Sequence, residues 1–185
     1  MKHLRPEHVR KELVKILKTN LRKIHGNGWS PLNPPLFSCL RRLGRSAGYT
    51  VWARRHGGEF LWDIVWSYEP ETARRYWLEL VGEIELSDQD PDSLITDFYK
   101  VLDAKARLKV FLCASPTSKG VGGICDEIDW AVSHQLFRLP EERLIAVVLD
   151  YNGRTGTYPC RIRLFNGSGP IGKWHNKWEE VTFKA

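Results

Sequence analysis

The sequence predicts an α/β fold in which a mixed central β-sheet is flanked by helices. Segments with apolar residues at helical spacing occur at the start of the chain and again after residue 90. Short segments rich in β-branched and aromatic residues lie between them, and two continuous apolar runs, LKVFLCAS and RLIAVVLDY, are typical of strands covered on both faces. With 185 residues, of which 42% are hydrophobic, the chain suits one packed core, so we predict a single domain over 1–185.

Two basic helices are predicted in the N-terminal part, 1–46. The first ends at the glycine pair Gly26 and Gly28, and its apolar residues at helical spacing are Val9, Leu13, Ile16, Leu17 and Ile24. The second follows a proline-rich loop and covers roughly residues 35–46. The polar side of this second helix carries Arg41, Arg42 and Arg45.

A three-stranded antiparallel run is predicted next, built from YTVWARR, EFLWDIVW and YWLELVGEIEL. The first two segments are joined by His56-Gly57-Gly58, which predicts a tight hairpin. Period-two alternation separates two faces of the third strand. We expect the following helix to cover Leu78, Leu80, Gly82, Ile84 and Leu86. The opposite face then holds Trp77, Glu79, Val81, Glu83 and Glu85.

The rest of the chain alternates helices and strands. A helix of roughly residues 91–105 is predicted, with an apolar face formed by Leu94, Ile95, Phe98, Val101 and Leu102. A right-handed crossover through this helix makes LKVFLCAS a parallel neighbour of the third strand. CDEIDWAVSHQLFRL predicts another amphipathic helix, followed by the strands RLIAVVLDY and TYPCRIRLF. SKGVGG lacks the G-K-[ST] ending of a phosphate loop and is interpreted as a turn, and the tail GPIGKWHNKWEEVTF receives no element.

The net charge of +6 is unevenly distributed along the chain. Residues 1–58 contain 13 basic and 2 acidic side chains, residues 59–103 contain 3 and 12, and residues 104–185 contain 12 and 8. Chance clustering of solvated side chains produces such a pattern in many proteins. The alternative is a cation-binding centre framed by surfaces that bind phosphate. The choice depends on whether the acidic side chains converge in the fold.

The composition favours a cytoplasmic protein. The four cysteines show no C-X-X-C spacing, so they indicate neither a zinc ribbon nor a disulfide framework. The first twenty residues lack the apolar run of a signal peptide, and no segment approaches the length of a membrane span. We therefore expect a reduced, intracellular setting and no membrane contact.

Carboxylates from two strands are predicted to meet on one face. Asp63 lies opposite the apolar row of EFLWDIVW, which consists of Phe60, Trp62, Ile64 and Trp66. If this strand pairs with YWLELVGEIEL, Asp63 faces about residues 79–83. Carboxylates held that close repel each other unless they are protonated or bridged by a cation. Oxygen ligands favour a hard ion such as Mg²⁺, whereas a solvated acidic face remains the alternative.

The order of these residues resembles a known superfamily. Asp63, then Glu83-Ile84-Glu85, then a helix containing DFYKVL and a buried strand resemble the PD-(D/E)XK, or restriction-endonuclease-like, nucleases, in particular the E-X-E variants among type II restriction endonucleases. The resemblance covers roughly residues 55–115, about a third of the chain. It implies a restriction-endonuclease-like core, with the catalytic core at 48–115 and a C-terminal helix and strands at 116–185.

The resemblance also implies roles for the acidic residues. Asp63 and Glu83 would be Mg²⁺ ligands, joined by the carbonyl of Ile84, and Glu85 would stand where the family usually has a lysine. A carboxylate cannot stabilise developing negative charge as an ammonium does, so Glu85 would share a second ion or orient the attacking water. Residue 62 is Trp where the name of the motif has Pro, a departure that is common in the family.

A lysine and a further glutamate would complete such a site. Lys100 in DFYK is the first candidate for the catalytic lysine, although a solvated lysine explains its position as well. Lys105 is the second candidate, but it lies at the end of the predicted helix. Glu12, beside the apolar stripe of the first helix, is the nearest match to the upstream glutamate that often completes such sites.

The function predicted from these residues is Mg²⁺-dependent hydrolysis of a nucleic-acid phosphodiester, with DNA as the expected substrate and Mn²⁺ as a substitute ion. Arg41, Arg42 and Arg45 are predicted to bind backbone phosphates. Because duplex-cutting members of the superfamily usually act as dimers, a homodimer is possible. Two alternatives stay open: a catalytically inactive nuclease-like domain that binds nucleic acid or protein, and an α/β domain whose acidic face is merely solvated.

Overall fold

The computed structural model describes residues 3–21, 28–53, 61–68, 77–86, 90–115, 120–135, 141–150, 157–166 and 179–184. The helices are α1 (Pro6–Asn20), α2 (Asn33–Ser46), α3 (Pro91–Asp103) and α4 (Gly120–His134), with a 3₁₀ turn at Ser30–Leu32. The strands are β1 (Thr50–Ala53), β2 (Ile64–Tyr68), β3 (Trp77–Glu85), β4 (Ala106–Ala114), β5 (Arg143–Leu149), β6 (Thr157–Asn166) and β7 (Glu179–Lys184).

The seven described strands form one mixed sheet whose spatial order follows the chain order. The pairs β3–β4 and β4–β5 are parallel, and every other neighbouring pair is antiparallel. Helices α3 and α4 make the two connections between parallel strands, as parallel pairing requires. The predicted α/β class with a mixed sheet is therefore confirmed.

Helices cover both faces of the sheet, and the two faces have separate cores. Helix α2 contacts β1 and β2 on one face, where α1 contacts β5 and β6. On the other face α3 contacts β3 and β4, and α4 contacts β5 and β6. The first core contains Leu13, Leu36 and Ile84, and the second contains Val81 and Phe98.

The faces of β3 are the reverse of the predicted ones. Leu80, Ile84 and Leu86 belong to the core under α1 and α2, whereas Val81 belongs to the core under α3 and α4. The prediction that α3 covers the leucine face is therefore wrong. Helices bury both faces of β3. The alternation of its side chains therefore separates the two faces but does not indicate which helices cover each face.

A β-bulge in β3 removes Glu79 from the predicted acidic face. The pairs Trp66–Leu80 and Ser67–Leu78 leave Glu79 without a partner in β2. Its carboxylate instead accepts a hydrogen bond of 2.7 Å from Nε of Arg107. Nη2 of the same arginine donates to the carbonyl of Leu4, just before α1. The expectation that three glutamates share one face is wrong for Glu79, because the extra residue in the strand interrupts the alternation.

Two segments differ from their predicted assignments. Gly120, Gly122 and Gly123, from the predicted turn SKGVGG, form the first turn of α4, and Gly120 takes a positive φ of 67° there. Strand β7, which pairs with β6, lies in the tail to which no element was assigned. The predicted hairpin at His56-Gly57-Gly58 lies outside the described residues.

All four cysteines are described, and they are free and buried. Within the described ranges, no helix combines the length and the apolar character needed to cross a membrane. The cysteines therefore act as small core side chains.

Candidate metal centre

Three carboxylates from two neighbouring strands meet at the end of β3. Asp63 directly precedes β2, and the pair Ile64–Gly82 places it beside Glu83. One carboxylate oxygen from each of Asp63, Glu83 and Glu85 lies within 4.8 Å of the other two. The structure thus brings together the three residues that the sequence predicts as metal ligands.

Asp63 is fixed by the backbone of the neighbouring strand. Its side chain is buried, and its Oδ2 accepts a hydrogen bond of 3.0 Å from the main-chain N–H of Ile84. In an extended strand the N–H and C=O of one residue point towards the same neighbour, so the Ile84 carbonyl also faces the Asp63 side. This is the side on which a carbonyl ligand between Glu83 and Glu85 would be needed.

Glu83 is a buried carboxylate whose pKa is raised by its surroundings. It is 4% exposed, and burial together with the nearby charge of Asp63 raises its pKa to about 9. Further contributions to this rise come from a hydrogen bond with Asp63 and from the charges of Asp97 and Glu85. Without a cation, Glu83 therefore holds a proton over most of the neutral range, and a bound divalent ion would replace that proton.

The chain approaches closely beside Glu83. A Cβ atom at Gly82 would lie 3.0 Å from Cγ2 of Ile64 and 3.1 Å from the carbonyl oxygen of Val110. Glycine at this position lets β2 and β4 stay near β3, so that Asp63 can reach Glu83.

Lys100 lies on α3 at the edge of the carboxylate group. Its ammonium forms an ion pair with Asp97, one helical turn earlier, and this hydrogen bond is the main reason why its pKa is raised. The charges of Glu83 and Glu85 raise the pKa of Lys100 further, which shows that the three side chains are electrostatic neighbours. Its side chain is 37% exposed, so Lys100 is partly open to solvent as well as close to the carboxylates.

Asp97 is a neighbour of the site that sequence reasoning missed. Its side chain is 14% exposed, and its charge acts on Glu83 as well as on Lys100. The signal was present in the sequence as the spacing of three residues between Asp97 and Lys100 in DFYK, which favours an ion pair on a helix.

Two candidates do not reach the site. Lys105 is exposed and precedes Ala106, which pairs with Leu78 at the opposite end of β3, about 16 Å along the strand from Glu83. Glu12 lies on α1, on the other face of the sheet, and accepts a hydrogen bond of 2.9 Å from Arg42. The suggestions that Lys105 or Glu12 completes the site are therefore wrong, because a position near the apolar side of a helix does not determine which end or face of the sheet the side chain reaches.

The predicted phosphate-binding arginines lie across the sheet from the carboxylates. All three are on α2, which covers the opposite face. Arg42 is ion-paired with Glu12, whereas Arg45 is exposed and Arg41 is half-buried. The structure does not bring Arg41, Arg42 and Arg45 to the same surface as Asp63, Glu83 and Glu85.

The donor set fits a hard divalent ion. All three side chains offer oxygen, which Mg²⁺ prefers. Mg²⁺–oxygen bonds of about 2.1 Å place neighbouring ligands of an octahedron about 3.0 Å apart and opposite ligands about 4.2 Å apart, so the three carboxylates would close around a bound ion. Side-chain carboxylates from three positions leave room for water and a phosphate oxygen at the remaining ligand positions.

Comparison of the whole chain with models of known families and with curated proteins found no match.

Proposed function

We propose that the protein is a Mg²⁺-dependent nuclease that hydrolyses phosphodiester bonds, with DNA as the expected substrate. The observation that carries the proposal is the approach of three carboxylate oxygens from two strands to within 4.8 Å. Phosphodiester hydrolysis is proposed because the chain resembles restriction-endonuclease-like nucleases in the order of Asp63, Glu83-Ile84-Glu85 and the following helix. Mn²⁺ would substitute for Mg²⁺.

The carboxylates have distinct roles in the proposed site. Asp63 and Glu83 would hold the ion, which would polarise the scissile phosphate and lower the pKa of a coordinated water. The hydrogen bond from the Ile84 N–H fixes the orientation of Asp63 before any ion arrives. Glu85, which is partly exposed, would share a second ion or orient the attacking water.

Lys100 supplies the positive charge that restriction-endonuclease-like nucleases usually place at the position of Glu85. A preorganised cation beside the reacting phosphate stabilises the negative charge that develops in the transition state. Lys100 suits this role because it is 37% exposed and thus accessible to substrate, while the charges of Glu83 and Glu85 act on it.

Nucleic-acid binding by Arg41, Arg42 and Arg45 is a separate part of the proposal. Their surface on α2 would bind backbone phosphates and would make affinity depend on salt. Since α2 and the carboxylates are on opposite faces, a single duplex would need to pass around the β1 edge of the sheet to touch both.

Incubation of the purified protein with supercoiled plasmid and Mn²⁺ or Mg²⁺ tests the proposed function. We expect metal-dependent nicking or linearisation by the wild type and none by Glu83→Ala/Glu85→Ala. Glu12→Ala is the matched control, because it removes a carboxylate from the other face of the sheet. Cleavage that persists in chelator or in the double variant would refute the proposal, and DNA binding without cleavage would favour the inactive binding module.

A further inference from the structure

The indole of Trp62 links α3 to the strand end that carries Asp63. Its Nε1–H donates a hydrogen bond of 3.0 Å to the main-chain carbonyl of Lys100. Trp62 directly precedes Asp63 in the chain, and its ring is half-buried against the core under α3. One side chain therefore connects the backbone positions of the first proposed metal ligand and the proposed catalytic lysine.

The acceptor is a carbonyl that the helix itself leaves unsatisfied. Lys100 is in the last turn of α3, which ends at Asp103, and the last four carbonyl groups of a helix have no intrahelical N–H partner. Leu102, in the same turn, also has side-chain partners, from Lys109 and Gln135. The end of α3 is thus held by side chains from other elements, and Trp62 is the one next to the carboxylates.

The Lys100 ammonium is held from a second direction. Asp97 binds it within the same helix, so its position relative to α3 is fixed by that ion pair. The position of α3 relative to Asp63 is fixed by the Trp62 hydrogen bond. The two contacts together determine where the ammonium lies with respect to Asp63 and Glu83.

We propose that Trp62 is a positioning residue that, through its hydrogen bond to the Lys100 carbonyl, holds the Asp97–Lys100 ion pair at the carboxylate group. This inference rests on the proposed function, since Lys100 acts on the substrate there. It assigns a role to position 62, where the name of the PD-(D/E)XK motif has proline. Proline has no backbone N–H and no side-chain donor, so it could not make this hydrogen bond.

Two substitutions separate the hydrogen bond from the bulk of the ring. Trp62→Phe keeps an aromatic ring and removes the N–H donor. Trp62→His keeps a five-membered ring with a nitrogen at the corresponding position and removes the benzene ring. Trp130→Phe is the matched control, because Trp130 is 59% exposed on α4 and belongs to no part of the proposed site.

Single-turnover plasmid cleavage at saturating Mn²⁺ measures the catalytic effect. We expect Trp62→Phe to slow cleavage by about 10-fold to 100-fold, because a displaced catalytic group costs rate steeply, and Trp62→His to retain more activity than Trp62→Phe. The variant Trp62→Phe/Lys100→Ala should cleave as slowly as Lys100→Ala alone, because both changes remove the same contribution, that of the Lys100 ammonium. Multiplicative effects of the two changes would overturn the inference and leave the proposed function standing.

Hydrogen exchange gives a readout that does not depend on activity. The chain has eight tryptophans, and the indole N–H signal lost in Trp62→Phe identifies Trp62 in the wild-type NMR spectrum. We expect that N–H to be protected, and Trp62→Phe to accelerate exchange in the last turn of α3 without affecting α4. An unprotected indole N–H would overturn the inference, whereas a wild type that neither cleaves DNA nor responds to metal would refute both proposals.

Discussion

The main-chain N–H of Ile84 donates a hydrogen bond of 3.0 Å to the carboxylate of Asp63 on the neighbouring strand. Ile84 lies between Glu83 and Glu85, so this bond fixes Asp63 against both glutamates. A buried carboxylate in such a group is stable only if it is hydrogen-bonded and its charge is balanced. The backbone supplies the hydrogen bond, and a divalent cation is the expected source of the balancing charge.

Metal binding should stabilise the wild type and leave Asp63→Ala unchanged. A ligand that binds only the folded state stabilises it by about 2.7 kcal/mol at one hundred times its Kd. For a protein of this size that corresponds to a rise in Tm of about 5–10 °C. Thermal denaturation with increasing Mg²⁺ or Mn²⁺ measures the effect. An equal rise in both proteins would place the bound ion elsewhere.

In chelator, the wild type should lose stability with rising pH more steeply than Glu83→Gln. The folded-state pKa of Glu83 is raised from 4.5 to about 9, mainly by burial. The folded state therefore favours the protonated form, and the associated stability is complete below pH 4.5 and is lost as pH rises towards 9. Glutamine is neutral throughout this range, so its contribution does not titrate. Urea unfolding at several pH values gives the two slopes, and equal slopes would contradict the raised pKa.

The meeting of Asp63 with Glu83 could be predicted because it depends on local patterns. Alternation places Asp63 opposite its apolar neighbours, and the pairing of EFLWDIVW with the next strand follows from their proximity in the chain. Position 85 follows because it is two residues from Glu83 in a regular strand. Each of these steps involves neighbouring elements only.

The parts that could not be predicted depend on tertiary structure. The bulge that turns Glu79 towards Arg107 arises from a mismatch in strand pairing, which a single strand does not encode. Both faces of β3 are apolar enough to be buried, so its sequence does not indicate which helices cover the acidic face. The geometry of the crossover connection decides this. The distance of Glu12 and Lys105 from the site is likewise decided by the sheet.

Removal of Lys109 should destabilise the fold strongly. Its ammonium is fully buried and donates hydrogen bonds to Glu142, at 2.9 Å, and to the carbonyl of Leu102 at the end of α3, at 2.6 Å. Lys109→Met leaves the buried Glu142 charge unpaired and should lower the free energy of unfolding by about 3–5 kcal/mol. Urea denaturation measures the loss.

The double variant Lys109→Met/Glu142→Leu should recover most of this loss, since it removes both charges. Lys100→Met is the matched control: the Lys100 side chain, which pairs with Asp97, is 37% exposed and reaches water, so little stability depends on it. A double variant as unstable as Lys109→Met would show that the buried charge is not the cause.

Gly82→Ala should weaken both the fold and the response to metal. The added Cβ would lie 3.1 Å from the Val110 carbonyl oxygen and 3.0 Å from the Ile64 side chain, so β2 or β4 must move away from β3. Overpacking of this kind costs about 1–3 kcal/mol. Movement of β2 would also carry Asp63 away from Glu83, so we expect a smaller metal-induced rise in Tm than in the wild type.

Gly122→Ala is the control for Gly82→Ala, because among the described residues its added Cβ would meet only Nη1 of Arg161, at 3.7 Å. Gly122 lies in the first turn of α4, where alanine favours the helix by up to about 1 kcal/mol. This variant should therefore match or exceed the wild type in stability and keep the full response to metal. If Gly82→Ala instead lost stability but kept the full response to metal, the close approach of β2 and β3 would serve packing alone. Metal binding by the carboxylates would then not depend on it.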